Sequence, residues 1–347
     1  MSMMIAAKFE GEGIMNFREV EVPRALVGNQ VVIKVLAAAI CGTDLHIMAV
    51  PQSHPCDVGT TFGHECIAEI YEIGPDVTGF QPGDRIAVDP IIPCGTCPSC
   101  KSGHYNMCVS LKALGVQIDG VFAPFCLTTA DKLYPVSKEL PLEKAVFIEM
   151  LACIMNGVKR IKMLPGLSVA IFGAGPIGLA FAAVMKSFGA GRVILVEMMP
   201  RRIDFARQHA EADDVIDSSK ENLVERVSQI TGSGADIVID TVGILFKEAI
   251  DIVRHEGQIL LFGINDHVKR EILQFDLIRK EVTVVASYAT HHSFPLAINM
   301  LTTGVVNLDS LLTHKFALKD LAKGIETASK GDGIKVAITM DDQDWRD

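Results

Sequence analysis

The first half of the chain carries two groups of side chains whose types and spacing bear on chemistry. Cys94, Cys97, Cys100 and Cys108 stand in C-x2-C-x2-C-x7-C order within PCGTCPSCKSGHYNMC. Four thiolates this close wrap one ion tetrahedrally and leave no position for water, so their role is to hold a loop that lacks a core of its own. An iron–sulfur cluster also takes four cysteines, at different spacings, and four unliganded thiols are a third reading. Upstream, CGTDLH (41–46) and GHECIAEIYEIG (63–74) offer Cys41, His64 and Glu65. A thiolate, an imidazole and a carboxylate are the ligand set of a catalytic zinc, which needs three protein donors and one open position. Taken singly, Cys41 fits a buried thiol, and His64 and Glu65 fit a strand cap.

Farther along, VAIFGAGPIGL places Gly173, Gly175 and Gly178 in G-x-G-x-x-G order, with Pro176 and Ile177 completing the turn. An apolar strand precedes it, a helix follows, and a second apolar strand ends in Glu197, 19 residues beyond Gly178. That context marks a dinucleotide site. The first glycine makes the tight turn and the second admits the pyrophosphate to the backbone. The third lets helix and strand pack closely, and the helix N-terminus offers N–H groups to phosphate. Glu197 suits the adenosine ribose hydroxyls and repels a 2′-phosphate, which favours NAD over NADP. Arg201 and Arg202 stand nearby, and Arg202 belongs among the candidate cofactor contacts.

The elements that must position these groups fall into two kinds. Up to about residue 150, short β-type runs such as VVIKVLAAA (31–39), CIAEIYEI (66–73), DRIAVD (84–89) and FAPFCLTT (122–129) are punctuated by glycine and proline. This reads as a loop-rich, largely antiparallel domain. From 167, six apolar runs (168–173, 193–197, 214–218, 236–243, 258–264 and 282–289) alternate with helical segments. Fully apolar strands in β-α units imply a six-stranded parallel sheet covered on both faces. The tail offers a helix (PLAINMLTTG), a short loop region, a second helix (KDLAKGIETASKG) and a strand (KVAITM). It is too small to fold alone and is expected to rejoin the first domain.

A formal net charge of −10 argues against nucleic acid or an anionic membrane as partner. No apolar run reaches the ~20 residues of a membrane span, and the N-terminal stretch lacks the features of a signal peptide. Nine cysteines, an odd number with one tight cluster, suit a metal inventory in a reducing compartment, the cytoplasm by default.

In CGTDLH, GHE, the PGDR at 82–85, the four-cysteine lobe, the IEML at 148–151 and the GAGPIG turn, the chain resembles the medium-chain zinc-dependent alcohol dehydrogenases along essentially its whole length. The resemblance implies a GroES-like β-rich catalytic domain from residues 1–151 and 290–347, carrying a structural zinc lobe at 94–108. A doubly wound Rossmann domain at 152–289 is inserted in it, and the active site is expected in the cleft. Two zinc ions per subunit and NAD are the implied cofactors. IEML resembles the segment bearing a zinc-site glutamate in polyol and threonine dehydrogenases, so Glu149 is expected at the catalytic ion, directly or through its water. The usual proline after it is Met150 here, and Ala68 stands where glycine is usual. Cys153 is close enough in sequence to compete as a ligand. By the same resemblance Thr43 and His46 form a proton relay, and Asp44 orients His64. Helix capping by Thr43 or Asp44 and a surface role for His46 are the plainer readings. His291 and His292, without a cysteine or carboxylate beside them, read as loop residues rather than ligands. The implied reaction is oxidation of a secondary alcohol of a polyol or sugar-like substrate to a ketone with NAD. A 3-hydroxy amino acid is the alternative substrate, and a non-catalytic binding protein that keeps the fold is the alternative of another class. A homotetramer or dimer is the family habit.

Overall fold

The computed structural model describes residues 2–340; residues 341–347 of the expected second catalytic segment lie outside the described residues. Among those described, 2–152, 290–303 and 312–340 form one compact unit, and 153–289 with 304–311 form another.

The first unit is organised on a seven-stranded sheet. Its path runs Leu312–Ala317, Lys335–Thr339, Gln30–Ala39, Glu65–Ile73, Arg85–Val88 and Leu133–Pro135, with Phe125–Thr129 pairing onto Gln30–Ala39 as well. All pairs are antiparallel except Leu312–Ala317 with Lys335–Thr339. Val31, Ile33, Val35, Cys66, Ala68, Ile70, Ile86, Val336 and Ile338 form one buried core face, and Val32, Ile67 and Ala337 between them are buried too, so the centre of the sheet is covered on both faces. The strand in the 122–129 run begins only at Phe125, because Pro124 has no N–H for a ladder. Leu312–Ala317 falls where the sequence suggests a loop. Its THK centre hides a half-exposed strand whose pairing to Lys335–Thr339 supplies what its side chains do not.

Register decides the site. Ala39 lies opposite Glu65 on one neighbour and opposite Ala337 on the other, and Ile40 N–H donates to Val336 C=O at 2.9 Å. One end of the sheet therefore gathers Cys41, His64–Glu65 and Lys335, from three distant parts of the chain. Ala68, opposite Val35, is fully buried in this sheet's core, so its methyl replaces the usual glycine without a clash.

The second unit holds the expected six-stranded sheet, wholly parallel. Its order is Asp214–Asp217, Arg192–Glu197, Ser168–Phe172, Ala235–Asp240, Val253–Leu261 and Thr283–Ala286. By sequence this is 3-2-1-4-5-6, the doubly wound order whose direction reverses beside the first strand. The glycine turn follows that strand. A Cβ at Gly178 would come within 1.8 Å of Gly173 C=O, so the helix Pro176–Ser187 can approach the strand only with glycine there.

Candidate functional site

Cys41 precedes the short helix Gly42–Ile47 as its N-cap residue. Its backbone N–H donates to Asp44 Oδ2 at 2.8 Å, so Asp44, at the third helical position, reaches back to close the first turn. The other oxygen, Oδ1, lies 3.7 Å from His64 Nδ1. Both of these atoms are buried and neither has a hydrogen-bond partner. Capping and orientation of His64 are rival readings of Asp44 by sequence; its two oxygens point at both tasks. Gly63 aims His64 inward with φ +90°, and a Cβ there would strike the Phe122 ring at 2.7 Å.

Ligand atoms of Cys41, His64 and Glu65 lie within 4.8 Å of one another. With Nδ1 turned to Asp44, Nε2 is the imidazole nitrogen left for Cys41. Burial pushes the Cys41 thiol up and the Asp44 carboxyl likewise. Burial works against the imidazolium of His64, but the nearby Cys41 and Asp44 charges outweigh it and raise the group well above its ordinary value. A soft donor, a borderline nitrogen and a carboxylate, with an orphaned Nδ1–carboxylate pair behind them, fit a zinc ion with an open position.

Glu149 sits in the first turn of Ile148–Val158, 8% exposed. It is outside the three-residue cluster, as is Cys153, yet near enough for its charge to act on His64 and Lys335. Lys335 is the member that sequence reasoning missed. It is 2% exposed and its Nζ donates to Glu65 Oε2. Burial opposes its charge, but Glu65, Cys41 and Glu149 hold its pKa up. The lysine is 270 residues from Glu65, and only the register of the last strand signals it. Thr43 is half-buried on the same helix; His46 is exposed, with Nδ1 2.8 Å from Ser53 Oγ.

The sulfurs of Cys94, Cys97, Cys100 and Cys108 also lie within 4.8 Å of one another. Cys94 N–H and Ser110 N–H donate to Cys108 Sγ at 3.2 and 3.4 Å, and Cys97 N–H donates to Cys94 Sγ at 3.4 Å. Backbone N–H groups of Thr96 and Cys97 bring the Cys94 thiol down to about 6, whereas burial drives Cys100 up to about 12. Amides aimed at sulfur suit four thiolates around one ion, with no vacancy for substrate. His291 and His292 have a role that composition does not reveal. Their Nε2 atoms lie 2.9 and 3.3 Å from Gly103 C=O, and His291 stacks on His104, so the return segment straps the lobe down.

In the second unit, Glu197 is 7% exposed at the end of its strand. Ala174 N–H donates to Oε2 at 2.9 Å, and Met198 and Met199 N–H donate to Oε1 at 2.7 and 3.0 Å. A carboxylate has about four acceptor positions, and these three N–H groups occupy most of them. Arg202 Nη1 lies 3.9 Å from Glu197 Oε2 and lies over Gly175, where a Cβ would sit 3.6 Å from that nitrogen. Gly173, Gly175, Pro176, Ile177 and Gly178 make the turn and first helical residues beneath it.

The chain matches known proteins along most of its length. Residues 28–138 match the alcohol dehydrogenase GroES-like domain, and 176–303 match the zinc-binding dehydrogenase domain. Sorbitol dehydrogenase of Bacillus subtilis (strain 168) is 30% identical over 335 residues, covering 93% of this chain and 95% of its own length. L-Threonine 3-dehydrogenase of Pyrococcus horikoshii is 35% identical over 312 residues, 86% of this chain and 87% of its own. A solved structure from Sinorhizobium meliloti 1021, described as a zinc-binding dehydrogenase and bound to NADP, superposes with a TM-score of 0.91. It is 29% identical and covers 98% of this chain and all of its own.

The two cysteine sites separate by variant. Cys41→Ser is expected to lose one zinc ion per chain and all turnover while unfolding near the native temperature. Cys100→Ser should lose the other ion and several kcal/mol of stability, on the order of a structural zinc's contribution. Elemental analysis and thermal melts read both; identical behaviour of the two variants would refute the division of roles.

Proposed function

We propose that this chain, which belongs to the medium-chain zinc-dependent alcohol dehydrogenase family, oxidises a secondary alcohol of a polyol or sugar-like substrate to a ketone with NAD. The observation that carries the reading is the Cys41–His64–Glu65 cluster with the Asp44 carboxylate behind its imidazole. Cys41, His64 and Glu65 are the ligands assigned to a catalytic zinc, Glu149 would reach that ion directly or through its water, and Cys94, Cys97, Cys100 and Cys108 would hold a structural zinc. When bound, the ion would supply Lewis acidity for the substrate hydroxyl and NAD a hydride acceptor.

The protein's own groups do the rest. Asp44 fixes the imidazole of His64. Thr43 would take up the hydroxyl proton while passing its own by way of the coenzyme ribose to His46, which is exposed and paired with Ser53 and hands it to water. Glu65 and Glu149 make a more anionic site than two thiolates would, which suits a hydroxyl-rich substrate. The B. subtilis relative is named for sorbitol, the P. horikoshii one for L-threonine. Oxidation of a 3-hydroxy amino acid is therefore the second reading. Glu197 accepts from the adenosine ribose and disfavours a 2′-phosphate; Arg202 beside the turn is the opposing influence, and the S. meliloti structure holds NADP.

All nine cysteines are unbridged, which supports a reducing compartment, the cytoplasm. Among the described residues no helix is long and apolar enough to cross a membrane. Thr283–Ala286 is an edge strand with Val284 exposed, flanked by exposed Phe275, Ile278 and Tyr288. An apolar edge of this kind supports self-association into a dimer or tetramer.

A zinc count, a light-scattering mass and an NAD-reduction screen over polyols, sugar acids, inositols and threonine test this reading together. Two ions per chain, a multiple of the 37.6 kDa chain mass and turnover on a polyol are expected. Turnover on threonine alone would transfer the reading to its rival, and no turnover with one ion would remove the enzyme. Thr43→Val should keep both ions and lose roughly 100-fold or more in kcat; unchanged turnover takes Thr43 out of the relay. Glu197→Ala should raise the ratio of NADP to NAD use, and a constant ratio would detach Glu197 from the ribose.

A further inference from the structure

Lys335 is a cation placed where a cation site already exists. A buried ammonium is costly unless paired, and here Nζ reaches Glu65 Oε2 with Ile40 C=O 3.4 Å away. Cys41 and Glu149 also lie within its electrostatic reach. A divalent ion bound by Cys41, His64 and Glu65 would meet a positive charge attached to one of its own ligands, and like charges at such range oppose each other. In the metal-free chain the same ammonium offsets the carboxylates of Glu65 and Glu149, which otherwise share a buried region with Asp44 behind them.

We propose that Lys335 is the internal counter-cation of the three-residue site, holding Glu65 in place before the ion arrives and weakening the ion's hold once it has arrived. The inference rests on the reading of Cys41, His64 and Glu65 as an ion site. Lys335 is a positioning residue: it acts through Glu65 and touches neither substrate nor cofactor. One Glu65 oxygen stays with the lysine while the carboxylate still has acceptor positions to offer the ion. The site is thereby preformed and its ion remains exchangeable. A lysine whose only task was to pin the last strand to the sheet would have a different signature, because removing it would leave ion affinity unchanged or weaken it.

The test uses full-length wild type, Lys335→Met and Lys335→Gln, each prepared with two zinc ions per chain and with the lobe's ion alone, verified by elemental analysis. Glutamine keeps a donor for Glu65 but removes the charge. Zinc affinity at the emptied site is read by competition with a chelating dye, and stability by thermal melts of both forms. Both variants should bind zinc about tenfold more tightly, the order expected when one unit charge beside a divalent ion is removed. Their one-ion forms should melt well below the wild-type one-ion form, and their two-ion forms should lose much less. Unchanged or weaker zinc binding, equal losses in both forms, or failure of both variants to fold even with two ions would overturn the proposal. A wild-type chain that takes up only the lobe's ion would overturn the ion site itself and this inference with it.

Discussion

The antiparallel register around Ala39 is the constraint on which the site depends. With Glu65 opposite on one side and Ala337 opposite on the other, the loops that leave this sheet end must converge. A slip of one residue in either pairing would turn Glu65 or Lys335 to the other face of the sheet. The three candidate ligands are thus set by backbone hydrogen bonds and by the burial of the strands that carry them. The interactions among the ligands come second. The buried thiol, the carboxylates of Asp44, Glu65 and Glu149 and the Lys335 ammonium are brought together by that frame.

Dependence on neighbours recurs at each functional element. The cysteine lobe gains amide donors from its own turns, but its attachment comes from His291 and His292. The glycine turn gains its shape from the close approach of Gly173 and Gly178, and Glu197 ties its backbone to the end of the next strand through Ala174. Glu197 is therefore part of the scaffold of the turn, with most of its acceptor capacity spent on amides.

Motifs that are local in the chain are legible from the residues alone. The cysteine spacing, the glycine turn and the six apolar runs each carry their meaning within about thirty residues, because the physics that fixes them is local. The parallel sheet follows from the runs, and its strand order agrees with a doubly wound fold. Long-range features are hidden from such a reading. Lys335 reads as an ordinary strand residue in KVAITM, and only its strand's pairing with Gln30–Ala39, far earlier in the chain, brings it to Glu65. His291 and His292 read as loop residues because their acceptor is a backbone carbonyl, which no side-chain pattern encodes. The Leu312–Ala317 strand reads as loop because half its residues are polar and its partner, not its composition, stabilises it.

The split edge of Gln30–Ala39 bears on biosynthesis. Phe125–Thr129 covers its first half, but residues 37–39 pair with nothing on that side until Lys335–Thr339 arrives. On the ribosome, the Ser168–Ala286 sheet can complete itself while the earlier unit waits with a bare strand edge next to Cys41. That interval exposes an aggregation-prone edge and a thiol together. Loss of that strand would be felt first at the Cys41–His64–Glu65 cluster, although all three of these residues lie within the first 65.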